Sequence, residues 1–335
     1  MSLTLLYTGG TLGGRRRGRG PIREDHALSS FLSLLEKKLP VASRPPELAA
    51  MAIRPCLSEN RIPEDWPILA RAVDDAWRRG AEGVVVVHGT DTMLYGACVL
   101  ARLLAGIPVP VVFTGSNLPL EADGTDAVQN LSHAFRVART RAARGVWVSF
   151  AGRPGGVSVV LDPARARKEA FRADCFQPLW GGPAARVSGD AEAGGSVRVR
   201  WGKGRPGAVP GNRYEPCFKV DSAVALFMVY PGFDPQVIRQ AAARGLRGLV
   251  LAAYGSGTAC TRPGRYDVCA AVRAATRSGV RVVVVSQHAG RVREAYGSTA
   301  DLVRSGARLM PETTPEAALA ALMCPGAEIA QTSSG

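Results

Sequence analysis

The sequence predicts an α/β fold with two domains. The larger N-terminal domain is expected to hold a mainly parallel sheet flanked by helices, and the smaller C-terminal domain is also expected to be α/β. Three observations predict this. Short β-branched runs alternate with helix-like stretches, the alternation is interrupted near Gly189, and it then resumes. Alternating strands and helices bury both faces of a parallel sheet, which favours such an architecture.

In the N-terminal part, apolar runs bounded by glycine or polar residues predict fully buried strands. These runs are Leu3–Tyr7, Gly83–Val87, Val109–Phe113 and Val146–Phe150. The stretches between them repeat apolar residues with a helical period. The predicted helices are Trp66–Arg79, Met93–Leu104 and Ala127–Ala142.

The stretch Gly189–Gly211 is rich in Gly, Ala, Arg and Pro, and Val197–Trp201 within it alternates like a hairpin strand. We therefore predict a hairpin and a linker over 191–218, between domains at 1–190 and 219–335. A second α/β pattern follows the linker. Its predicted elements are Ala223–Tyr230, Pro235–Arg244, Gly248–Ala253, Tyr266–Ser278, Val280–Ser286 and Pro315–Met323.

The composition is that of an ordinary globular protein of 335 residues, with 46% hydrophobic and 21% charged residues. The formal net charge of +14 is spread along the chain, and aromatic residues make up only 6%. Nucleic-acid binding surfaces commonly interleave basic and stacking aromatic residues, and that pattern is not visible here. We expect no nucleic-acid partner.

No apolar run reaches the roughly 18 residues that a membrane-spanning helix needs. The N-terminus also lacks the basic and apolar regions of a signal peptide. The expectation is a cytoplasmic protein without a membrane partner. Neither the seven scattered cysteines nor the four histidines have metal-ligand spacing, and Gly9–Gly14 matches no nucleotide-binding motif. We therefore expect no metal and no cofactor.

Hydroxyl and carboxylate side chains follow the predicted strands where a parallel sheet places its ligand sites. Thr8 and Thr11 follow the first strand, and Thr90, Asp91 and Thr92 follow the strand Gly83–Val87. A threonine hydroxyl is a weak nucleophile, so it needs an activating neighbour. A lysine made neutral by burial can accept its proton. A single Thr-Gly pair, however, is also typical of a simple turn.

Taken together, these segments resemble the bacterial L-asparaginase family, in its intracellular type. Thr8-Gly9-Gly10-Thr11 and His88-Gly89-Thr90-Asp91-Thr92 are similar to its two signature segments. The resemblance extends over nearly the whole chain, in order and spacing. The further matching segments are Ser58–Asn60, Thr114–Pro119, Asp123–Leu131, Arg165–Lys168, Tyr254–Gly257 and Ser286–Gln287.

This resemblance implies an amidohydrolase that converts L-asparagine to L-aspartate and ammonia through an acyl-enzyme. It implies that Thr11 is the nucleophile and that Thr90, Asp91 and Lys168 form a second catalytic triad. It further implies that the substrate is bound by four residues, namely Ser58, Gly89, Asp91 and Ser116. Backbone N–H groups near Thr90 and Ser116 would stabilise the oxyanion. A homodimer or homotetramer is also implied.

Other residues near these motifs are expected to be structural. Asp126 and Asn130 are interpreted as loop and helix-start residues, and His88 as a packed, hydrogen-bonded residue. The segment Gly13–Pro21 contains four arginines and no tyrosine, although the family often supplies a tyrosine from this lid. Its glycines and like charges predict a mobile lid whose arginines could pair with a substrate carboxylate.

The sequence leaves two other functions open. The first is the ammonia-supplying subunit of a tRNA-dependent amidotransferase, which the positive charge would suit. That subunit usually carries a further domain before the first motif, and here only seven residues precede Thr8. The second is a non-catalytic relative that binds an amino acid. The near-complete set of expected catalytic side chains argues against that alternative.

Overall fold

The computed structural model describes residues 2–16, 20, 22–24, 27–169, 173–189, 196–202, 214–288 and 290–324. The chain divides after Phe218 into two compact units, each with its own sheet. The predicted α/β class, with a larger first unit and a smaller second one, is confirmed.

The first unit alternates strands and helices along most of its length. Its strands are β1 (Ser2–Tyr7), β2 (Gly14–Arg16), β3 (Ile22–Glu24), β4 (Glu47–Ala52), β5 (Gly83–Val87), β6 (Pro110–Thr114), β7 (Gly145–Phe150), β8 (Ser158–Leu161), β9 (Ala166–Lys168), β10 (Phe176–Pro178), β11 (Ala185–Ser188) and β12 (Arg198–Trp201). Its helices are α1 (Leu28–Lys38), α2 (Asp65–Arg78), α3 (Met93–Leu103) and α4 (Ala127–Ala138).

The large sheet is mainly parallel. Its strand order is β12-β11-β8-β7-β6-β5-β1-β4. The strands from β4 to β7 pair in parallel, whereas β8, β11 and β12 pair antiparallel to their neighbours. The carboxyl ends of β1, β4, β5, β6 and β7 therefore lie at one edge of the sheet, where loops converge on ligand sites in such folds.

Helices cover both faces of this sheet. Phe31 of α1 and Phe135 of α4 are buried against inward-facing residues such as Leu5 and Val85. Helices α2 and α3 contact the strands from the opposite face. The predicted helix Ala127–Ala142 ends earlier, at Ala138. Two tight turns follow it: Thr140 N–H donates to Val137 O, and Ala143 N–H donates to Thr140 O.

The second unit carries a four-stranded parallel sheet in the order β13-β14-β15-β16. Its strands are β13 (Val224–Met228), β14 (Gly248–Ala253), β15 (Arg281–Ser286) and β16 (Arg308–Leu309). Its helices are α5 (Gln236–Ala243), α6 (Val268–Arg277), α7 (Gly297–Arg304) and α8 (Pro315–Met323). Helix α6 begins two residues after the predicted Tyr266 because the Asp267 side chain caps it, accepting from Ala270 N–H at 3.1 Å.

Candidate functional site

The first polar turn follows β1 and is hydrogen-bonded to the end of β5 and to the loop after β4. Thr8 Oγ1 donates to Val87 O at 2.7 Å, and Gly10 N–H donates to Cys56 O at 3.1 Å. Gly9 and Gly10 have φ values of 92° and 87°, which L side chains rarely adopt. The short 3₁₀ helix Thr11–Gly13 begins directly after this turn, so the position of Thr11 is set by two glycines and their partners.

Three of the predicted segments meet at Gly89, the residue before Thr90. A Cβ placed on Gly10 would lie 2.4 Å from Gly89 Cα, and a Cβ on Gly89 would lie 2.5 Å from Ser58 Oγ. Both glycines are therefore required by close packing of backbone and side chain. Thr11 follows Gly10 and therefore lies one residue from the contact with Gly89. Ser58 belongs to another loop, and its hydroxyl also lies against Gly89.

Lys168 reaches this place from the last residue of β9. Its Nζ donates to Thr90 Oγ1 at 3.0 Å and forms a short ion pair with Asp91 Oδ1. The Lys168 side chain is 25% exposed, whereas that of Asp91 is 63% exposed. The approach of Lys168 to Thr90 and Asp91, which the sequence predicts, is observed. In its ammonium form Lys168 orients the Thr90 hydroxyl, and in its neutral form it could accept that hydroxyl's proton.

The hydroxyls of Thr11 and Ser58 differ from that of Thr90. Thr11 is half-buried and Ser58 is buried. Within the part of the chain that the structure describes, neither side-chain oxygen makes a hydrogen bond. Thr92 Oγ1 instead donates to the Ser58 backbone carbonyl at 2.9 Å, which fixes the Ser58 loop beside Thr90. Both hydroxyls are thus available to a bound molecule.

Ser116 follows β6 and is buried. Its Oγ donates to Leu118 O at 2.5 Å, so the hydroxyl is used within its own loop. Any contact of Ser116 with an oxyanion would therefore use its backbone N–H. This loop also packs on the Thr90 segment, because a Cβ on Gly115 would lie 2.3 Å from His88 O.

Asp126 and Asn130 hold the Ser116 loop in place. Asp126 lies directly before α4, where a loop and helix-start residue is expected, but its side chain does not cap that helix. Its carboxylate instead accepts from Asn117 N–H at 2.9 and 3.0 Å and from Leu118 N–H at 3.1 Å. Burial raises the pKa of Asp126, and these backbone donors oppose that shift. Asn130 donates to Gly115 O at 2.9 Å.

His88 lies beneath the site. It is buried between Trp66 and Phe113, and its Nδ1 lies 2.8 Å from Gly89 O. Burial lowers the pKa of His88 to about 4, so the imidazole is neutral near pH 7 and Nδ1–H donates to that carbonyl. This agrees with the interpretation of His88 as a packed, hydrogen-bonded residue.

Two family profiles match this chain. The N-terminal domain of asparaginase matches residues 2–202, and the C-terminal domain of glutaminase/asparaginase matches residues 223–328. The chain belongs to the asparaginase family. The matches cover both structural units, and the resemblance stated from the sequence is confirmed at the level of the family.

This asparaginase-family protein is similar to amidotransferase subunits and to L-asparaginases. A glutamyl-tRNA(Gln) amidotransferase subunit of Methanosarcina mazei is 30% identical over 325 residues, covering 96% of this chain and 73% of its own. An L-asparaginase of Thermococcus kodakarensis is 33% identical over 195 residues, covering 58% and 54%. The solved structure of the thermostable L-asparaginase from the same organism has a TM-score of 0.79 at 28% identity, covering 97% and 92%.

The segment after Thr11 in this asparaginase-family protein begins as a hairpin. β2 pairs antiparallel with β3, and Arg15 Nε lies 3.8 Å from Glu121 Oε2. Tyr7, the last residue of β1, lies below this segment and fills the space where Gly13 has no side chain, because a Cβ there would lie 1.9 Å from the Tyr7 hydroxyl. Two of the four arginines of the predicted lid, Arg17 and Arg19, lie outside the described residues, so the lid hypothesis stays a prediction.

Clustered metal ligands are absent from the described part of this asparaginase-family protein. No three His, Cys, Asp or Glu side chains come together there as a metal site. No helix among the described residues has the length and apolar character needed to cross a bilayer.

Proposed function

We propose that this protein hydrolyses the side-chain amide of L-asparagine, giving L-aspartate and ammonia, with Thr11 as the nucleophile. The observation that carries the proposal is the contact of Lys168 Nζ with Thr90 Oγ1 at 3.0 Å and with Asp91. Lys168 comes from a hairpin 78 residues away along the chain. Membership of the asparaginase family supports assigning catalytic chemistry to this contact.

In the proposed first step, Thr11 Oγ1 attacks the amide carbon and its proton leaves through the Thr90 hydroxyl. Lys168, held in place by Asp91, accepts that proton in its neutral amine form and becomes an ammonium, which later gives the proton back. The C–N bond then breaks and the proton passes to the departing nitrogen. Ammonia is released, and the aspartyl group remains bound to Thr11 as an ester. A water molecule attacks this ester in the second step and restores the Thr11 hydroxyl.

Substrate binding is assigned to the residues around Gly89. Ser58 and Asp91 would hold the α-carboxylate and α-amino groups, respectively by hydrogen bonding and by charge. The close packing of Gly89 on Ser58 leaves the Gly89 backbone beside that hydroxyl. Backbone N–H groups near Thr90 and Ser116 would donate to the oxyanion, which fits the internal use of the Ser116 hydroxyl.

A second candidate is the supply of ammonia to a tRNA-dependent amidotransferase. It is favoured by the 30% identity to the Methanosarcina mazei amidotransferase protein over 96% of this chain. In this case the same threonine chemistry would release ammonia from an amide, and a partner protein would use it. The two candidates therefore share the site and differ in whether turnover needs a partner and its acceptor.

The test is ammonia release by the purified protein with asparagine, glutamine and a small panel of other amides. We expect release from asparagine without any partner, and a fall in kcat of about 10³-fold or more in Lys168→Met. Lys37→Met is the matched control, since Lys37 is exposed on α1. Release that requires the other amidotransferase proteins and charged tRNA would favour the second candidate. Asparagine binding without any release would favour a non-catalytic role.

A further inference from the structure

The hairpin that carries Lys168 is separate from the large sheet. β9 pairs only with β10 in the described structure, through three residue pairs from Ala166↔Pro178 to Lys168↔Phe176. An isolated two-stranded hairpin has little stability of its own in water. The position of Lys168 Nζ therefore depends on the contacts that hold this hairpin against the rest of the first unit.

Asn117 makes one of these contacts with both hydrogens of its side-chain amide. Its Nδ2 donates to Gly152 O at 3.0 Å, at the end of β7, and to Ala173 O at 2.9 Å, in the segment that connects β9 to β10. An amide nitrogen has two hydrogens, so both donors of this side chain are used in joining the two backbone segments.

The backbone packing at Gly152 shows how closely the hairpin lies there. Gly152 has a φ of 76°, and a Cβ at this position would lie 1.7 Å from Ala173 O. No residue other than glycine fits this approach. The carbonyl that accepts from Asn117 is therefore held directly against the end of β7.

Asn117 is itself held in place by Asp126 and, through Asp126, by Asn130. Its backbone N–H donates to the Asp126 carboxylate, and Asn130 Nδ2 donates to Asp126 Oδ2 at 3.1 Å. Asn130 Oδ1 accepts from Ala151 N–H at 2.7 Å, next to Gly152. Side chains at the start of α4 thus fix the loop that bears Asn117, and Asn117 in turn contacts the hairpin of Lys168.

We propose that Asn117 is a positioning residue for Lys168. By holding the β9–β10 connection against Gly152, it sets the distance between Lys168 Nζ and Thr90 Oγ1. This inference rests on the proposed catalytic role of Lys168. It assigns to Asn117, adjacent to Ser116 in the sequence, the task of holding the hairpin that carries Lys168.

The first test is Asn117→Asp, which keeps the shape and replaces both N–H donors by an oxygen. Asn117 is exposed, so the buried core is untouched. We expect kcat for asparagine to fall about 10- to 100-fold with KM changed less than about threefold, the scale seen when a supporting hydrogen bond is lost. Gln177→Glu is the matched control, because the contacts of Gln177 Nε2 with other described residues stay within the hairpin, to Asp174 O at 2.8 Å and Asp174 Oδ2 at 3.1 Å. It should keep kcat.

The second test is a double-mutant cycle with Lys168→Met. If Asn117 acts through Lys168, adding Asn117→Asp to Lys168→Met lowers kcat no further. An additive loss would contradict the inference. Full activity in Lys168→Met alone would instead contradict the proposed function.

Hydrogen exchange separates these two failures. The Glu169 N–H, which donates to Cys175 O at 2.6 Å inside the hairpin, should exchange faster in Asn117→Asp than in the wild type. An unchanged exchange rate would contradict docking by Asn117 whatever the role of Lys168.

Discussion

The two threonines of the site have different surroundings, and the difference suits different tasks. Thr90 Oγ1 accepts a hydrogen bond from Lys168, whereas Thr11 Oγ1 has no partner among the described residues. A hydroxyl that is already oriented by a lysine is suited to proton transfer. A hydroxyl on a fixed turn, open to a ligand, is suited to attack on a carbonyl carbon.

Thr11→Ala and Thr90→Ala should each lower kcat for asparagine by about 10³-fold or more, with the fold retained. The double variant should lose far less than the product of the two losses, because residues that act as one unit are not additive. Steady-state ammonia release measures this. Thr140→Ala, at the end of α4 and away from the site, is the control that should retain kcat. Full additivity would mean that the two hydroxyls serve separate processes.

His88 links the site to the pH dependence of stability. In the folded protein its pKa is about 4, against 6.5 in an unfolded chain. Between these values the unfolded state binds more protons, so folding stability falls as the pH drops from 6.5 towards 4. The loss from about pH 7.5 to about pH 5 amounts to about 2 kcal/mol from this one group.

His88→Asn should remove this contribution, because an amide can still donate to Gly89 O and does not titrate. Urea unfolding at the two pH values measures it. The free energy of unfolding should depend less on pH in the variant than in the wild type. Equal pH dependence in the variant and the wild type would contradict a neutral, buried His88.

Among the elements, the turn after β1 and the loop after β5 approach each other so closely that neither Gly10 nor Gly89 has room for a side chain. Gly10 has φ 87° and ψ −177°, and an added Cβ would overlap Gly89. Gly10→Ala should therefore displace Thr11 and lower kcat by about 10²-fold or more.

Gly80 offers a control for this change. It also has a positive φ, 96°, but a Cβ there meets nothing within 4 Å. Gly80→Ala should cost about 1 kcal/mol of stability from backbone strain and leave kcat unchanged. Thermal unfolding and ammonia release on both variants make the comparison. Similar kcat values for the two variants would show that the Gly10–Gly89 approach is unimportant for catalysis.

The strands that the sequence predicts best are those buried on both faces. Gly83–Val87 and Gly248–Ala253 have the bounds that the sequence predicts, because each is a short continuous apolar run that begins at a glycine and ends before polar residues. Strand β4 was missed, since Glu-Leu-Ala-Ala-Met-Ala favours a helix by propensity. It is a strand because it pairs in register with β1 over six residues, a long-range interaction that overrides the local preference.

The candidate site was predictable in its residues and only partly in its geometry. Thr11, Thr90 and Asp91 follow predicted strands, so a parallel sheet collects them at one edge. Ser58 was indicated only by the family resemblance, because the strand before it, β4, was not predicted. Lys168 lies in a three-residue strand whose partner is another short strand, and no local pattern indicates such a pair. The docking by Asn117 depends on two backbone carbonyls from separate loops, which a sequence pattern does not reveal.

In the first unit, the strand pairing explains why residues far apart in sequence lie close together at the candidate site. Parallel pairing of β4, β1, β5 and β6 brings the loops that begin after Ala52, Tyr7, Val87 and Thr114 to the same edge. The antiparallel strands β8, β11 and β12 extend the sheet beyond β7, on the side away from β1. The second unit adds a smaller parallel sheet of the same class.

If Thr11 is the nucleophile, it carries the acyl group during turnover. Peptide mass spectrometry detects this group directly, on the wild-type protein quenched in acid during turnover of asparagine. We predict the mass of one aspartyl group on the peptide that contains Thr11, and no such mass in Thr11→Ala. An aspartyl group on another residue, or undiminished ammonia release by Thr11→Ala, would show that Thr11 is not the nucleophile.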